Sequence, residues 1–218
     1  MSASVIDTET NALPDLKRSA DAEGQPRLAQ LSMILLNVLG EIEGEQNFYV
    51  KPDGWSMSPE TTAINGLTDE FLHEHGIPVR DVLEAYSQAI LSGRFIIAFN
   101  AQFDCKIMRG ELRRAGLHDL FEQTRNVCVM RKSGGIITAL RPIKDKVTKE
   151  IIGHKETNNW PSLERCRDVL GLPHEGAHRG MKDAFDALAV YRHLLTRGVD
   201  LTPEVHHHAH VEEIRANG

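Results

Sequence analysis

The feature that most constrains this chain is an alternation of short apolar runs with amphipathic helical segments, which continues from the first residues to about residue 196. "ASVIDTE" and "LSMILLNV" read as buried strands, and "NFYVKP" as a shorter one ended by Pro52. "SPETTAIN" and "TDEFLHEHG" each set Ser or Thr ahead of first-turn acids, as capped helices do, and Gly76 suits a stop. Helix "VRDVLEAYSQAILSG" follows Pro78. Then come strand "RFIIAF", helix "QFDCKIMRGELRRAG", strand "NVCVM", and helices "SLERCRDVLG" and "MKDAFDALAVYRHLL". Strands that alternate with helices predict an α/β fold with helices packed on a sheet.

Two segments stand outside this pattern. Residues 135–153, "GIITALRPIKDKVTKEIIG", alternate β-formers around a polar, Pro-containing centre, which predicts an inserted β-hairpin. Insertions longer than about 12–15 residues are often functional. The segment 199–218 is polar and is expected to be a flexible tail whose histidines are solvated, which leaves residues 1–198 as one domain. A chain of 218 residues fits a single domain with one sizeable core.

Charge narrows the partners. The net charge of -6 argues against a protein that coats nucleic acid by charge alone, which needs many cations against phosphates. Locally the sign reverses: between Arg131 and Lys155, Arg131, Lys132, Arg141, Lys144, Lys146, Lys149 and Lys155 face only Asp145 and Glu150. A basic patch on an acidic body suits contact with a polyanion. Cys105, Cys128 and Cys166 stand far apart with no C-x-x-C pair, which argues against a disulfide framework and a thiolate metal site. With no secretory signal and no run of about 20 apolar residues, a cytoplasmic protein without membrane contact is expected.

Within this frame "SVIDTETNAL" places two acids one residue apart at the end of an apolar strand. In a strand, Asp7 and Glu9 point to the same face. Spacing alone is uninformative, because 31 acids in 218 residues give about four such pairs by chance and four occur. The other three, Asp21 with Glu23, Glu41 with Glu43 and Glu43 with Glu45, lie in polar surroundings. Only Asp7 and Glu9 end a strand that should be central. Either that strand end fans into solvent, or a cation neutralises two buried like charges. Oxygen ligands suit Mg²⁺ or Mn²⁺.

Two further acids face inward by the same periodicity logic. Asp104 opens a helix and shares a face with Ile107, Met108 and Leu112. Asp183 opens another, with Ala187, Leu188, Tyr191 and Leu195 along its apolar face, and Asp186 is a rival one turn on. An acid that merely complements a helix dipole would lie on the wet face instead. His178 precedes Asp183 by five positions in a Gly-flanked loop, which suits a mobile general base. Lys106, Arg109 and Arg113 form a basic stripe on the opposite side of the Asp104 helix, read as a solvated face.

"DTET", "FNAQFD" and "HRGMKD" resemble the three motifs of the DEDDh group of 3′-to-5′ exonucleases, the family of the proofreading subunit of bacterial DNA polymerase and of several RNA-trimming enzymes. "VKPDGWSMSPETTAINGLTDEFL" resembles the family's segment between the first two motifs, and the likeness spans about residues 3 to 196. It implies a ribonuclease-H-like mixed sheet flanked by helices. It also implies that Asp7, Glu9, Asp104 and Asp183 hold two divalent metal ions, Mg²⁺ or Mn²⁺, and that His178 is the general base. Thr8, Thr10, Asn100 and Phe103 would contact the terminal nucleotide, and nucleoside 5′-monophosphates would leave a 3′ end of DNA. Phe99 stands where many relatives have His, and Asn11-Ala12 where Thr-Gly is frequent. Both positions bear on base and sugar preference rather than on metal ligation. The alternatives are an RNA or oligoribonucleotide trimming enzyme, and a non-catalytic module that binds nucleic acid or a polymerase.

Overall fold

The first strand organises everything around it. The computed structural model describes residues 1–15, 17–174 and 179–205. In it β1 (Ala3–Thr10) pairs antiparallel with β2 (Leu28–Leu36) on one side and parallel with β4 (Phe95–Ala98) on the other. β3 (Ile42–Tyr49) lies outside β2 and β5 (Asn126–Cys128) outside β4, giving the order β3-β2-β1-β4-β5. The central strands carry apolar residues on both faces, and such strands are stable only when both faces are covered. On one face Ile6, Leu31, Met33 and Ile96 pack with Leu83 and Tyr86 of α3 (Val79–Leu91) and Met108 and Leu112 of α4 (Ala101–Arg114). On the other, Val5, Ile34, Ile97 and Val127 pack with Cys166 of α6 (Leu163–Leu170) and Ala184, Leu188 and Leu194 of α7 (Gly180–Thr196). This is the mixed sheet with helices on both faces that the motifs implied.

Two short helices, α1 (Pro59–Asn65) and α2 (Asp69–His75), follow β3 as expected. Their N-caps Ser58 and Thr68 accept from the backbone N–H groups of Thr61 and Phe71. "NVCVM" is strand only to Cys128. Val129–Lys132 then turns into α5, whose Val129 carbonyl accepts the Ser133 N–H, while the Ser133 carbonyl accepts that of Ile137. The expected hairpin exists but is displaced along the chain, with strands β6 (Ala139–Lys144) and β7 (Ile151–Thr157) in a separate two-stranded sheet. Its first expected residues are consumed by the turn after α5, where Ile137 is buried.

Two expectations change. The segment after residue 198 does not simply fray: Leu201 is buried, Arg125 donates to the Pro203 carbonyl, and Glu204 bridges Asn126 of β5. The remainder of that tail, from residue 206, lies outside the described residues. The stripe on α4 is not solvated either. Lys106 and Arg109 are buried, because the loop between β1 and β2 folds over them and takes the Lys106 ammonium on the Arg18 carbonyl, while Asp119 pairs with Arg109 and Arg113. Gln25 ties that loop together, accepting from the Asp15 N–H and donating to the carbonyls of Asp15 and Ser19. All three cysteines are buried and unpaired. No helix among the described residues is long and apolar enough to cross a membrane.

Candidate active site

The register of the sheet creates the cleft. β4 pairs with β1 only along Ala3, Ser4 and Val5, so beyond Val5 the β4 side of β1 is open. Crevices outside the carboxyl ends of strands are where α/β sheets hold ligands. Asp7 and Glu9 point into this opening from the face shared with Val5. β4 runs on through Phe99 and Asn100 into α4, whose first turn carries Asp104 to the same place. From the other layer, Asp183 in the first turn of α7 completes the group. A cleft of about 400 Å³ is lined by these four acids together with Thr8, Phe99, Asn100, Phe103, Met130, Ser162 and Leu163. The helix that carries Asp183 approaches β2 closely at Gly180, where a Cβ atom would lie 2.6 Å from Ser32 Oγ and 3.2 Å from the Gln30 amide carbon.

Four carboxylates in one cleft cannot all ionise cheaply. Burial, and then the charges of Asp104, Glu9 and Asp183, push the Asp7 carboxyl well above the usual range, against a smaller opposite effect from Arg167. Burial and the Asp183 charge raise Glu9 to about 7, offset in part by a hydrogen bond from Asn65. Burial likewise raises Asp104 to about 7, although its Oδ1 accepts both the Thr8 N–H at 2.9 Å and the Thr8 hydroxyl at 2.8 Å. Protons or cations must therefore compensate this site near neutral pH.

One such cation belongs to the chain. Arg167 is 2% exposed and lies between two acids of α7: its Nε donates to Asp186 Oδ2 at 2.6 Å and its Nη2 to Asp183 Oδ1. Asp186 also accepts from Lys182 Nζ at 2.5 Å, so the rival acid is held by two cations while Asp183 reaches the cleft. The sequence reading missed Arg167 amid the charges of "SLERCRDVLG". The signal was present. Leu163, Cys166, Arg167 and Leu170 recur at i, i+3, i+4 and i+7, which places the arginine on the inward face of α6.

Of the residues expected to meet the nucleotide, Thr8, Asn100 and Phe103 line the cleft and Thr10 does not. Thr10 is buried and its hydroxyl donates to the Ala12 carbonyl at 2.6 Å, because the register shifts between Glu9 and Thr10 and the strand bends away there. Thr8 is engaged in holding Asp104. The Asn100 amide has no hydrogen bond among the described residues, which leaves it available to a ligand. His178 lies outside the described residues.

The donor set fits a hard divalent cation: it is all carboxylate oxygen, clustered and short of positive charge. As the side chains stand, no group of three or more His, Cys, Asp or Glu among the described residues is placed to hold a metal ion. Three of the four acids are turned onto protein donors, Asp104 onto Thr8, Asp183 onto Arg167 and, at 3.5 Å, Glu9 onto Asn65.

Comparison with known proteins agrees with this geometry. A family model for exonucleases of the RNase T type matches residues 4–191. No curated protein matches the sequence. Among solved structures, Exonuclease I of E. coli in complex with a dT13 oligonucleotide superposes with a TM-score of 0.70 at 17% identity, over 90% of this chain and 41% of that one. A zinc-bound form of the E. coli Exonuclease I complex with single-stranded DNA gives 0.69 at 18% identity, over 90% and 41%. Cell-death-related nuclease 4 gives 0.66 at 14% identity, over 93% and 66%. The chain spans about two fifths of the length of these Exonuclease I structures. The likeness establishes the ribonuclease-H-like fold, and the family match over most of the sequence, with the acids of all three motifs in one cleft, shows that the chain belongs to the DEDDh exonuclease family.

Proposed function

We propose that the chain is a metal-dependent 3′-to-5′ exonuclease that releases nucleoside 5′-monophosphates from the 3′ ends of DNA. The observation that carries this reading is the convergence of Asp7, Glu9, Asp104 and Asp183 on one open cleft from three separate elements. Asp7, Glu9, Asp104 and Asp183 would hold two divalent ions, Mg²⁺ or Mn²⁺. When bound, such ions stabilise the attacking and leaving oxygens of a displacement at phosphorus and make a water easier to deprotonate.

The chain's own residues divide the remaining work. Asn100 offers an uncommitted amide to the sugar or phosphate of the terminal nucleotide. Phe103, Phe99, Met130 and Leu163 give its base an apolar seat. Thr8 fixes the Asp104 carboxylate through two hydrogen bonds, so that ligand needs little reorganisation. His178 would accept the proton of the attacking water as general base, a role that suits histidine because the unperturbed side chain exchanges its proton near neutral pH. Asp183 would be among the residues that hold the metal, with Arg167, which donates to it, as its lateral support.

The test uses matched single-stranded DNA and RNA oligonucleotides labelled at the 5′ end, incubated with Mg²⁺, Mn²⁺ or EDTA. A metal-dependent ladder that shortens from the 3′ end and fades in Asp7→Ala is expected, with DNA consumed faster. Faster loss of RNA would transfer the reading to RNA trimming. Intact strands under every condition would leave only nucleic-acid binding.

A further inference from the structure

The hairpin of β6 and β7 is built at a cost that the fold does not explain. An isolated two-stranded ribbon is marginal in water, and this one is packed only at its root. Ala139 is buried and Arg165 donates to the Thr138 carbonyl at 3.0 Å, while Leu140, Ile143, Ile151 and Ile152 are largely exposed and Val147 at the tip is 87% exposed. Its register sets Arg141 directly opposite Lys155. Like charges facing each other across a ribbon are destabilising. Among the described residues none of Arg141, Lys144, Lys146, Lys149 and Lys155 has a carboxylate within ion-pair distance. The two acids of the tip are used otherwise: Asp145 accepts the N–H groups of Val147 and Thr148, and Glu150 closes the turn through its carbonyl.

The roots of the hairpin place this charge. Met130 lines the carboxylate cleft nine residues before β6 begins, and Ser162 and Leu163 line it just after β7 ends. Between them Trp160, half exposed, carries the Arg131 guanidinium 4.9 Å from its ring centroid. Both strands are thus tied to the lining of the cleft by short stretches of chain. A ribbon of six to seven residues per strand reaches about 20 Å, the span of roughly six phosphates at 3.4 Å each along one duplex strand.

The geometry points to the hairpin as a polynucleotide-binding arm: its unpaired cations hold the phosphate backbone upstream of the terminal nucleotide whose 3′ end lies in the cleft. The placement of that 3′ end rests on the exonuclease reading; the contact between arm and phosphates does not. The charge sign, the absence of acid partners and the facing Arg141 and Lys155 favour a polyanion over a protein partner, for which the exposed Leu140, Ile143, Ile151 and Ile152 would be the contact.

The arm is tested on the full chain in EDTA, where no strand is consumed, by fluorescence anisotropy with labelled 20-nucleotide single-stranded DNA and matched RNA across a salt series. Each phosphate contact contributes about 0.7 to the slope of log affinity against log salt for single strands. K144Q/K146Q/K149Q is therefore expected to flatten that slope by about 2, while K144R/K146R/K149R restores it. An unchanged slope in the glutamine variant overturns the arm and assigns the hairpin to a protein partner. A slope lost equally in the arginine variant also overturns it, because the effect is then on folding and not on charge. The two readings fail separately: a flattened slope in a chain that trims nothing keeps the arm and removes the exonuclease, and trimming with an unchanged slope does the reverse.

Discussion

The carboxylate cleft and the hairpin hold charge of opposite sign under opposite conditions. In the cleft four acids are crowded where protein excludes much of the water, and the result is Glu9 and Asp104 raised to about 7 and a buried arginine drawn in beside Asp183. On the hairpin five cations stand in solvent with no carboxylate in ion-pair distance among the described residues, and Arg141 faces Lys155 with only the neutral Asn159 amide oxygen on its guanidinium. Water and salt screen the second arrangement fully and the first only in part. Buried charge thus demands a partner of fixed geometry, whereas exposed charge waits for a mobile one. On the proposed readings, this separates the chemistry of a bound strand end from the capture of the strand.

The sharpest test of that separation is His178→Ala. Removing a general base costs about 10²–10⁴ in rate, so kcat should fall by that factor while the affinity for a 20-nucleotide strand and its salt slope stay at the wild-type value. A parallel loss of affinity would place the histidine in binding. Arg167→Met comes next. Breaking a buried ion pair from one side costs about 3–5 kcal/mol, and here two aspartates lose the guanidinium, though Asp186 keeps Lys182. Thermal unfolding in EDTA should show most of that loss. Excess Mn²⁺ should recover part of it, because a bound cation again compensates Asp183. Equal loss with and without metal would detach Asp183 from the metal site.

Much of this site is legible from period alone. The parity of β1 puts Asp7 and Glu9 on one face, and the apolar neighbours of Asp104 and Asp183 turn both acids inward. Arg167 obeys the same rule, but in a helix with four charged residues among eight its inward position reads as one more solvated cation. Thr10 shares parity with Thr8 and still misses the cleft, since the strand bends between Glu9 and Thr10 and no pattern encodes that bulge. The cover over Lys106 and Arg109 is invisible for a different reason. It comes from a loop without periodicity, fixed by the side chain of Gln25 against its own backbone carbonyls.

Acidity gives the third prediction. The fold raises Glu9 and Asp104 from ordinary values near 4 to about 7, so it favours their neutral forms. That contribution is fully present below pH about 4 and is lost as pH rises through about 7. The metal-free protein should accordingly unfold at a lower temperature at pH 8 than at pH 5.5, and Mg²⁺ should raise its Tm more at pH 8. Asp104→Asn keeps an oxygen for the two Thr8 donors and removes the charge. At pH 8 in EDTA it should stabilise by up to about 4 kcal/mol, a shift of roughly three pKa units. It should also abolish the rise in Tm with Mg²⁺. A destabilised Asp104→Asn at pH 8 would mean that the cleft is wetter than its burial indicates.

The smallest effect probes the other region. Lys155→Glu turns the like-charged pair with Arg141 into an opposite-charged one, and cross-strand pairs of this kind are worth about 0.2–1 kcal/mol. Hydrogen exchange of the β6 and β7 amides should slow by about 1.4- to 5-fold, while Asp104 and the cleft, buried and remote in charge, are untouched. Affinity for the 20-nucleotide strand should fall at the same time, since the substitution deletes one cation and engages another. In the cleft the same kind of change acts with the opposite coupling: Asp104→Asn also removes a like-charge conflict, but the function it removes is metal dependence, not strand capture. If Lys155→Glu steadies the ribbon and leaves strand affinity intact, Arg141 and Lys155 face each other for a reason other than phosphate, and the arm must grip through Lys144, Lys146 and Lys149 alone.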